Sequence, residues 1–423
     1  MFLSGVVEHS TLSPVKDAAP MQLGCSLRTQ VPARSLEAGI RLMPALGISR
    51  LTDITRMDRL GLPVCVSVRP RGKTLHVHAG KAMELLDARV GALFEAIEFS
   101  AAEPQRSTWH VQTKPVGELL AHWKGRFSWV DLAPVLAAAT STRTKVDVIK
   151  CEELVQGHAL LVPAELVFVP WEPRKGTRAI FGYSTNGLAS GNSLEDATLH
   201  ALLEVMERDA IAMNLPRDAS EWIAPAQLPM RFGELAATWR ELGVELAVRH
   251  VPNIFQLPCY RACLYGKDDT GVHLAAGHGL HLSNGIALAR AVCEAAQSRL
   301  VQIHGGRDDI VGHYGTVAAL DPPARLEAFE SEASRWFDPA RSTSFDAVTS
   351  WLSPTRPIGK LVEALIHRLA QLGFGAVLRH RFQLDLQGLH VVRILVPGLE
   401  HVRGGSTRIG PRMLRKVVDH GPG

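Results

Sequence analysis

Three copies of one side-chain pattern carry the residues best suited to chemistry. They are Ala88-x3-Ala92-x2-Glu95-x2-Glu98, Ala197-x3-Ala201-x2-Glu204-x2-Glu207 and Ala287-x3-Ala291-x2-Glu294-x2-Gln297. On a helix these positions share one face, so small residues and carboxylates form a single stripe. The alanines admit a neighbouring backbone where a purely structural helix would place leucine or isoleucine. Any one copy also reads as a solvated glutamate on an amphipathic helix, but three copies among apolar neighbours such as Leu93, Phe94, Leu202 and Val292 argue for convergence. Converged, Glu95, Glu98, Glu204, Glu207 and Glu294 form a carboxylate cluster. Two such charges ~4 Å apart repel by roughly 4 kcal/mol at an effective dielectric of ~20, so the cluster requires a cation. Hard oxygen donors with no His or Cys in the repeat select Mg2+ or Mn2+. Mg2+ is held by few carboxylates together with substrate phosphates, which predicts a nucleoside triphosphate as the companion ligand.

The stretch before the second copy, YSTNGLASGNSLED, suits that ligand. Ser184, Asn186 and Gly187 make a polar turn, Ser193 is the expected helix cap, and Glu195 and Asp196 fall in the first helical turn. Backbone N–H groups and small polar side chains there can hold phosphate or ribose oxygens, with Ser184, Asn186 and Glu195 as nucleotide candidates. The spacing fits neither a P-loop nor a Rossmann turn, and a plain structural turn is the alternative. Arg208, Arg290 and Arg299 offer positive charge, although each also reads as a surface ion pair worth under ~1 kcal/mol. Lys81, after Gly80, resembles a phosphate lysine at a helix start. His273, His278 and His281 alternate with apolar residues and read as strand or loop histidines. Cys259 and Cys263 read as neighbouring strand or loop residues, without the second pair a zinc site needs.

The elements that must position these groups interleave along the chain. A helix is expected from Arg34 to Ile48 with Ser35 as cap, followed by strands around a turn at Arg59–Gly61 and the strand TLHVHAG. Gly80-Lys81 should open a helix reaching Glu103, with a further helix near Val116–Trp123 and paired strands across 144–171. EWIAPAQLPM reads as loop, 233–242 as helix, and VELAVRHVP and CYRACLYG as strands. GVHLAAGHGLHLSNG leads into the third signature helix. Helical pieces lie in 307–353, a helix in 358–372, and strands in AVLRHRF and HVVRILVPGLE before a basic tail. The fold class is α/β or α+β with mixed sheets and three similar Glu-bearing helices converging on one site. Residues 1–33 read as an arm or loop and 34–423 as the main domain, with possible subdomains near 34–130, 131–310 and 311–423.

A chain of 423 residues, 46% hydrophobic and 21% charged, is ordinary globular material, and a net charge of +4 is too weak to argue for nucleic acid. Six scattered cysteines suit reduced, mostly buried thiols. The start has no signal-peptide pattern and no apolar run spans a bilayer, so the expected compartment is the cytoplasm, with no membrane partner.

Several stretches occur in the order found in the YcaO family, and the chain resembles that family over about residues 34–400. They are MDRLGLPV, Gly80-Lys81 before the helix with EAIE, STNGLASGNSLEDATLHALLEVMERDA, ARAVCEAAQSRL followed by GGRDD, and VPGLE. The resemblance implies an ATP-binding fold without a P-loop, in which helix glutamates hold Mg2+ against the triphosphate. It further implies activation of a peptide backbone amide by phosphorylation. A side-chain thiol or hydroxyl as nucleophile gives an azoline; external sulfide, with a TfuA-type partner, gives a thioamide. Carried over, Lys81, Glu95, Glu98, Ser184, Asn186, Glu204, Glu207, Arg208, Arg290 and Glu294 are nucleotide and metal positions. Arg208 and Arg290 would stabilise the transferring phosphoryl group. Gly91 stands where the family often has a serine. The ending RKVVDHGPG lacks the proline-rich tail of azoline-forming members, which favours the thioamide product. The expected partners are a peptide or protein substrate, a TfuA-type or leader-peptide-binding protein, and a second copy of the chain. An ATP- or peptide-binding scaffold without turnover is the alternative.

Overall fold

The structure, a computed structural model, describes residues 20–104, 110–136, 138–266, 274–307, 322–351, 356–386, 388–401 and 408–420. The hairpin β1 (Met21–Leu23) and β2 (Ser26–Arg28) precedes α1 (Pro32–Leu42). Then follow β3 (Arg50–Asp53), β4 (Val64–Val68), β5 (Val77–Lys81) and α2 (Leu85–Ala102). The middle of the chain gives β6 (Gln112–Pro115), α3 (Val116–Trp123), β7 (Lys145–Glu153), β8 (Ala159–Pro163), β9 (Leu188–Gly191) and α4 (Leu194–Asn214). Next come β10 (Glu221–Ile223), α5 (Met230–Glu241), β11 (Val244–His250), β12 (Cys259–Gly266), β13 (Leu274–Leu280) and α6 (Asn284–His304). The remainder supplies α7 (Pro322–Trp336), α8 (Ile358–Gln371), β14 (Leu378–Arg381), β15 (His390–Leu395) and α9 (Pro411–His420).

Three antiparallel sheets carry the site, ordered β3-β4-β5, β6-β7-β14-β15-β9 with β8 on β7, and β10-β11-β12-β13. Each ends in the strand that precedes a signature helix: β5 before α2, β9 before α4, β13 before α6. The helix alanines explain how close these strands lie. Ala88, Ala92, Ala197, Ala201, Ala287 and Ala291 are fully buried, and strand glycines press onto them. A Cβ at Gly80 would meet Ala92 N at 2.0 Å, and one at Gly279 would meet Ala287 O at 2.2 Å. Only glycine permits that approach.

The helices also reach sideways, and the contacts close a ring. Besides its own strand, α2 packs on β9, α4 on β13 and α6 on β5. The last position of each signature makes the joint. Glu98 accepts from Ser190 N at 2.8 Å, Glu207 accepts from Leu280 N at 3.0 Å, and Gln297 Nε2 donates to Ala79 O at 2.7 Å.

Several sequence expectations shift. Helix α2 starts at Leu85, not at Gly80, because Gly80 and Lys81 complete β5 by pairing with Cys65 and Val64. Ser35 is no cap: α1 begins at Pro32, a residue suited to a first helical position, and the buried Ser35 hydroxyl donates to Val31 O. Glu221–Ile223 is a strand paired with β11 instead of loop. Ala164–Leu166 turns as a short 3-10 helix. The basic tail is α9, held to α4 by Arg412 on Asp209 and to the chain by Glu400, which accepts from Gly410, Arg412 and Met413 N–H groups. The arm includes the β1–β2 hairpin, whose Leu27 is buried with α4 residues Leu199 and Leu203. β14 and β15 complete a sheet begun by β6, β7 and β9. His273 and the acidic pair after Arg307 lie outside the described residues. No helix among the described residues is long and apolar enough to cross a membrane.

The ring joint at Gln297 needs a donor, because it faces a carbonyl. Gln297→Glu should therefore lower the unfolding free energy by about 1–3 kcal/mol, the cost of opposing two buried acceptors, read as a lower urea midpoint.

Candidate active site

The three signature helices bring the five glutamates into one electrostatic network. Glu95 accepts from Ala79 N at 2.6 Å, and Glu98 accepts from both the N–H and, at 2.6 Å, the hydroxyl of Ser190. Glu207 is buried and spends one oxygen on Leu280 N. Glu294 lies 3.4 Å from Lys81 Nζ and 3.9 Å from His278 Nδ1. No hydrogen bond or ion pair to Glu204 exists among the described residues. Burial raises the Glu204 carboxyl above its ordinary range, and Arg208 offsets this only in part. Burial pushes Glu98 up to about 8 despite its Ser190 bonds, with Glu204 and Glu95 adding repulsion. Burial acts in the same sense on Glu294, but Lys81, the His278 bond and Arg208 together hold it well below the ordinary range.

The cations stand among these acids. Arg208 Nη1 is 3.9 Å from Glu207, and Arg290 Nη2 is 3.7 Å from the other Glu207 oxygen. Burial would depress the Arg208 guanidinium, yet Glu207, Glu294 and Glu204 hold it above its ordinary value. The Nε atoms of Arg208 and Arg290 and the Oδ1 of Asn186 are buried without hydrogen-bond partners. Buried polar atoms in that state are normally satisfied, so they call for a ligand. Arg393 shapes the loop: its guanidinium donates to Ser184 O and Asn186 O, both at 2.6 Å, and to Val167 O. Gly187 follows at φ +76°, where a Cβ would strike Ile394 O at 2.2 Å. Ser184 Oγ accepts from Asn186 N and tightens the turn.

These residues fit Mg2+ with a polyphosphate. Among the described residues no three carboxylate, imidazole or thiol groups form a ready ion cage. An ion completed by phosphate oxygens and water, as Mg2+ prefers, asks for only one or two carboxylates. Glu204 lacks a partner, and unpaired arginine donors lie beside it to meet phosphate oxygens.

Two nucleotide candidates leave the site. Arg299 is fully buried on α6, with its Nε 2.9 Å from Asp58, which joins the helix to the segment between β3 and β4. Glu195 is exposed, feels His390 across the surface, and stands nine residues, about 13 Å of helix rise, from Glu204. Lys81 stays in the site, but from a strand end and facing Glu294. At Gly91 a Cβ would lie 3.3 Å from Gly80 Cα, so the missing side chain lets α2 sit close on β5. Residues the sequence reading did not single out also join. Arg28 donates to Ser190 O at 3.2 Å and senses Asp196 and Glu98. Burial, then Arg28, Arg290 and Lys81, keep His200 far below its ordinary pKa; burial and Arg290 push His281 down to about 3. A lone arginine in the apolar strand HVVRIL and a lone histidine four residues before Glu204 were the available signals for Arg393 and His200.

Sheet-end helices thus carry carboxylates and arginines into one network, without a P-loop, that suits a nucleotide with a divalent cation. The model of one family, described as YcaO cyclodehydratase, ATP- and Mg2+-binding, matches residues 79–400. An uncharacterised protein of Methanothermobacter thermautotrophicus is 31% identical over 399 residues, spanning 91% of this chain and 98% of its own. A protein of Rhizobium leguminosarum bv. trifolii, described as lying in the tfuA 3′ region, is 27% identical over 92% of this chain and 93% of its own. The solved structure of YcaO from Methanopyrus kandleri bound with AMPPCP and Mg2+ superposes with a TM-score of 0.73 at 23% identity, covering 94% of this chain and 98% of that one. The chain belongs to the YcaO cyclodehydratase family, and ATP and Mg2+ are its cofactors.

The raised Glu98 gives a pH signature in ligand-free protein. Above its ordinary 4.5 the unfolded chain loses a proton that the folded state keeps to about 8. The folded state binds more protons in that window, so stability should fall with rising pH by up to about 1.4 kcal/mol per unit. Urea unfolding across the window should show that slope, and Glu98→Gln should flatten it.

Proposed function

We propose that this chain activates a backbone amide of a peptide in an ATP- and Mg2+-dependent reaction, and that sulfur then replaces the amide oxygen with the help of a TfuA-type partner. The observation that carries the activation step is the half-buried Glu204, which has no hydrogen bond or ion pair among the described residues, in the field of Arg208 and Arg290, whose buried Nε atoms have no hydrogen-bond partner. The sulfur step is supported by the relative in a tfuA 3′ region. A second reading, ring closure of a side-chain thiol or hydroxyl to an azoline, is supported by the family's description as a cyclodehydratase.

Bound ATP with Mg2+ would supply a phosphoryl group to the amide oxygen, so that this oxygen leaves as phosphate when sulfide adds at the carbonyl carbon. Glu95, Glu98, Glu204, Glu207 and Glu294 would hold the cation, with Glu204 as the carboxylate not already committed. Arg208 and Arg290 donate from fixed positions toward negative charge, in a buried setting where such bonds are stronger than in water. Lys81 balances Glu294 and presents its ammonium at the same face. Ser184 and Asn186 sit on a turn that Arg393 clamps, which would hold Asn186 Oδ1 in place for a donor group of the nucleotide. His200 and His281, both neutral, add no competing charge next to Arg290. No covalent nucleophile of the protein is required.

Glu204→Ala and Glu207→Gln should each weaken Mg2+-dependent ATP binding by at least about tenfold, equivalent to about 1.4 kcal/mol, in calorimetry on protein of unchanged circular dichroism. Retention of full affinity in both variants would remove these residues from the site. Mass spectrometry of a candidate peptide incubated with ATP, Mg2+, sulfide and a TfuA-type protein separates the products. Exchange of one oxygen for sulfur is expected; loss of one water selects the azoline; no change with ATP bound selects a scaffold.

A further inference from the structure

An apolar groove lies on the first sheet, formed by α1, β3 and α2. Leu36, Ile40 and Met43 from α1 and Leu51 from β3 line it, together with Arg50 and Arg89, in a cavity of about 610 Å³. Ile40 is 48% exposed at this groove. Its strand is an edge: β3 pairs only with β4 among the described residues, so the backbone groups on its other side have no strand partner. An open edge beside an apolar groove is the arrangement that accepts an extended peptide as an added strand.

The charge around the groove says which peptide. Arg50 and Arg89 are exposed, and neither pairs with a carboxylate among the described residues. The nearby acids are engaged. Glu37 pairs with Arg41 at 2.8 Å, and Asp53 accepts from Thr55 N and Oγ1 at 2.9 and 2.5 Å. Asp53 keeps its negative charge and feels Arg89, so Arg50 and Arg89 together leave the groove with a positive balance next to apolar surface and free backbone. We infer that it docks an extended segment of the peptide substrate, one with apolar side chains and flanking acidic residues, as a strand against β3. This inference rests on the peptide-modifying reading and names the recognition element it needs outside the ATP site.

Fluorescence anisotropy tests it with a labelled peptide bearing a central run of valine and threonine flanked by glutamates, and a twin flanked by lysines. The acidic peptide should bind and the basic one should not. Arg50→Glu/Arg89→Glu and Ile40→Asp should each weaken binding on the order of tenfold while leaving Mg2+-dependent ATP binding unchanged, which shows that the fold is intact. Equal binding of both peptides, or unchanged affinity in both variants, overturns the inference. So does a lower oligomeric mass of the variants in light scattering without loss of peptide binding, which would make the groove a contact between copies. Failure of the amide chemistry is read separately: peptide binding would persist while no product appears.

Discussion

The ring depends on one interaction repeated around it, a signature side chain hydrogen-bonding the backbone of the next sheet's end strand. β5, β9 and β13 each finish a sheet, and a finishing strand exposes backbone groups that must find partners. Here Glu98 and Glu207 supply acceptors for Ser190 and Leu280, and Gln297 supplies a donor for Ala79. Bonds from N–H to a carboxylate are stronger than neutral ones, so the same groups that repel one another also lock the sheets. Fold closure and site chemistry therefore share residues, and neither can be altered alone.

This sharing explains why the third copy ends in glutamine. At the other two joints the strand presents an N–H, so a carboxylate serves. At the third the bond runs to the Ala79 carbonyl, and a carboxylate there would set two acceptors against each other. An amide meets the need and removes one negative charge. On the same seam Lys81 faces Glu294 and balances its charge. The repeat is a copy in spacing and a variation in charge, and the variation follows from which backbone atom each helix meets.

Those two levels were unequally legible in the sequence. The spacing Ala-x3-Ala-x2-Glu-x2-Glu reports residues sharing a helix face, a property of one element alone. It led to α2, α4 and α6 and to the five glutamates. Partners drawn from other elements carry no such period. Arg299 sits on the same helix as Glu294 yet turns to Asp58, and Glu195 belongs to the α4 stretch but to its exposed start. Lys81 looked like the first residue of a helix because Gly-Lys precedes a helix-prone run; strand pairing with Val64 decided otherwise. Arg28 and Arg393 come from strands far away in the chain, and only the packed sheets bring them beside Ser190, Ser184 and Asn186.

A network with a partnerless carboxylate and unsatisfied arginine donors is expensive to keep buried, because desolvation is incurred whether or not a ligand is bound. The protein sustains it because each acid but Glu204 has a hydrogen bond or ion pair of its own, while Glu204 has only the field of Arg208, Arg393 and Arg290, so the deficit is confined to a small patch. That confinement has a thermodynamic consequence. A ligand that binds only the folded state stabilises it in proportion to its affinity. A cation with a polyphosphate removes the repulsion at Glu204 and satisfies Arg208, Arg290 and Asn186 together. The deficit thus acts as selectivity: an anion alone leaves Glu204 without a partner, a cation alone leaves the arginines unsatisfied, and only the pair relieves both.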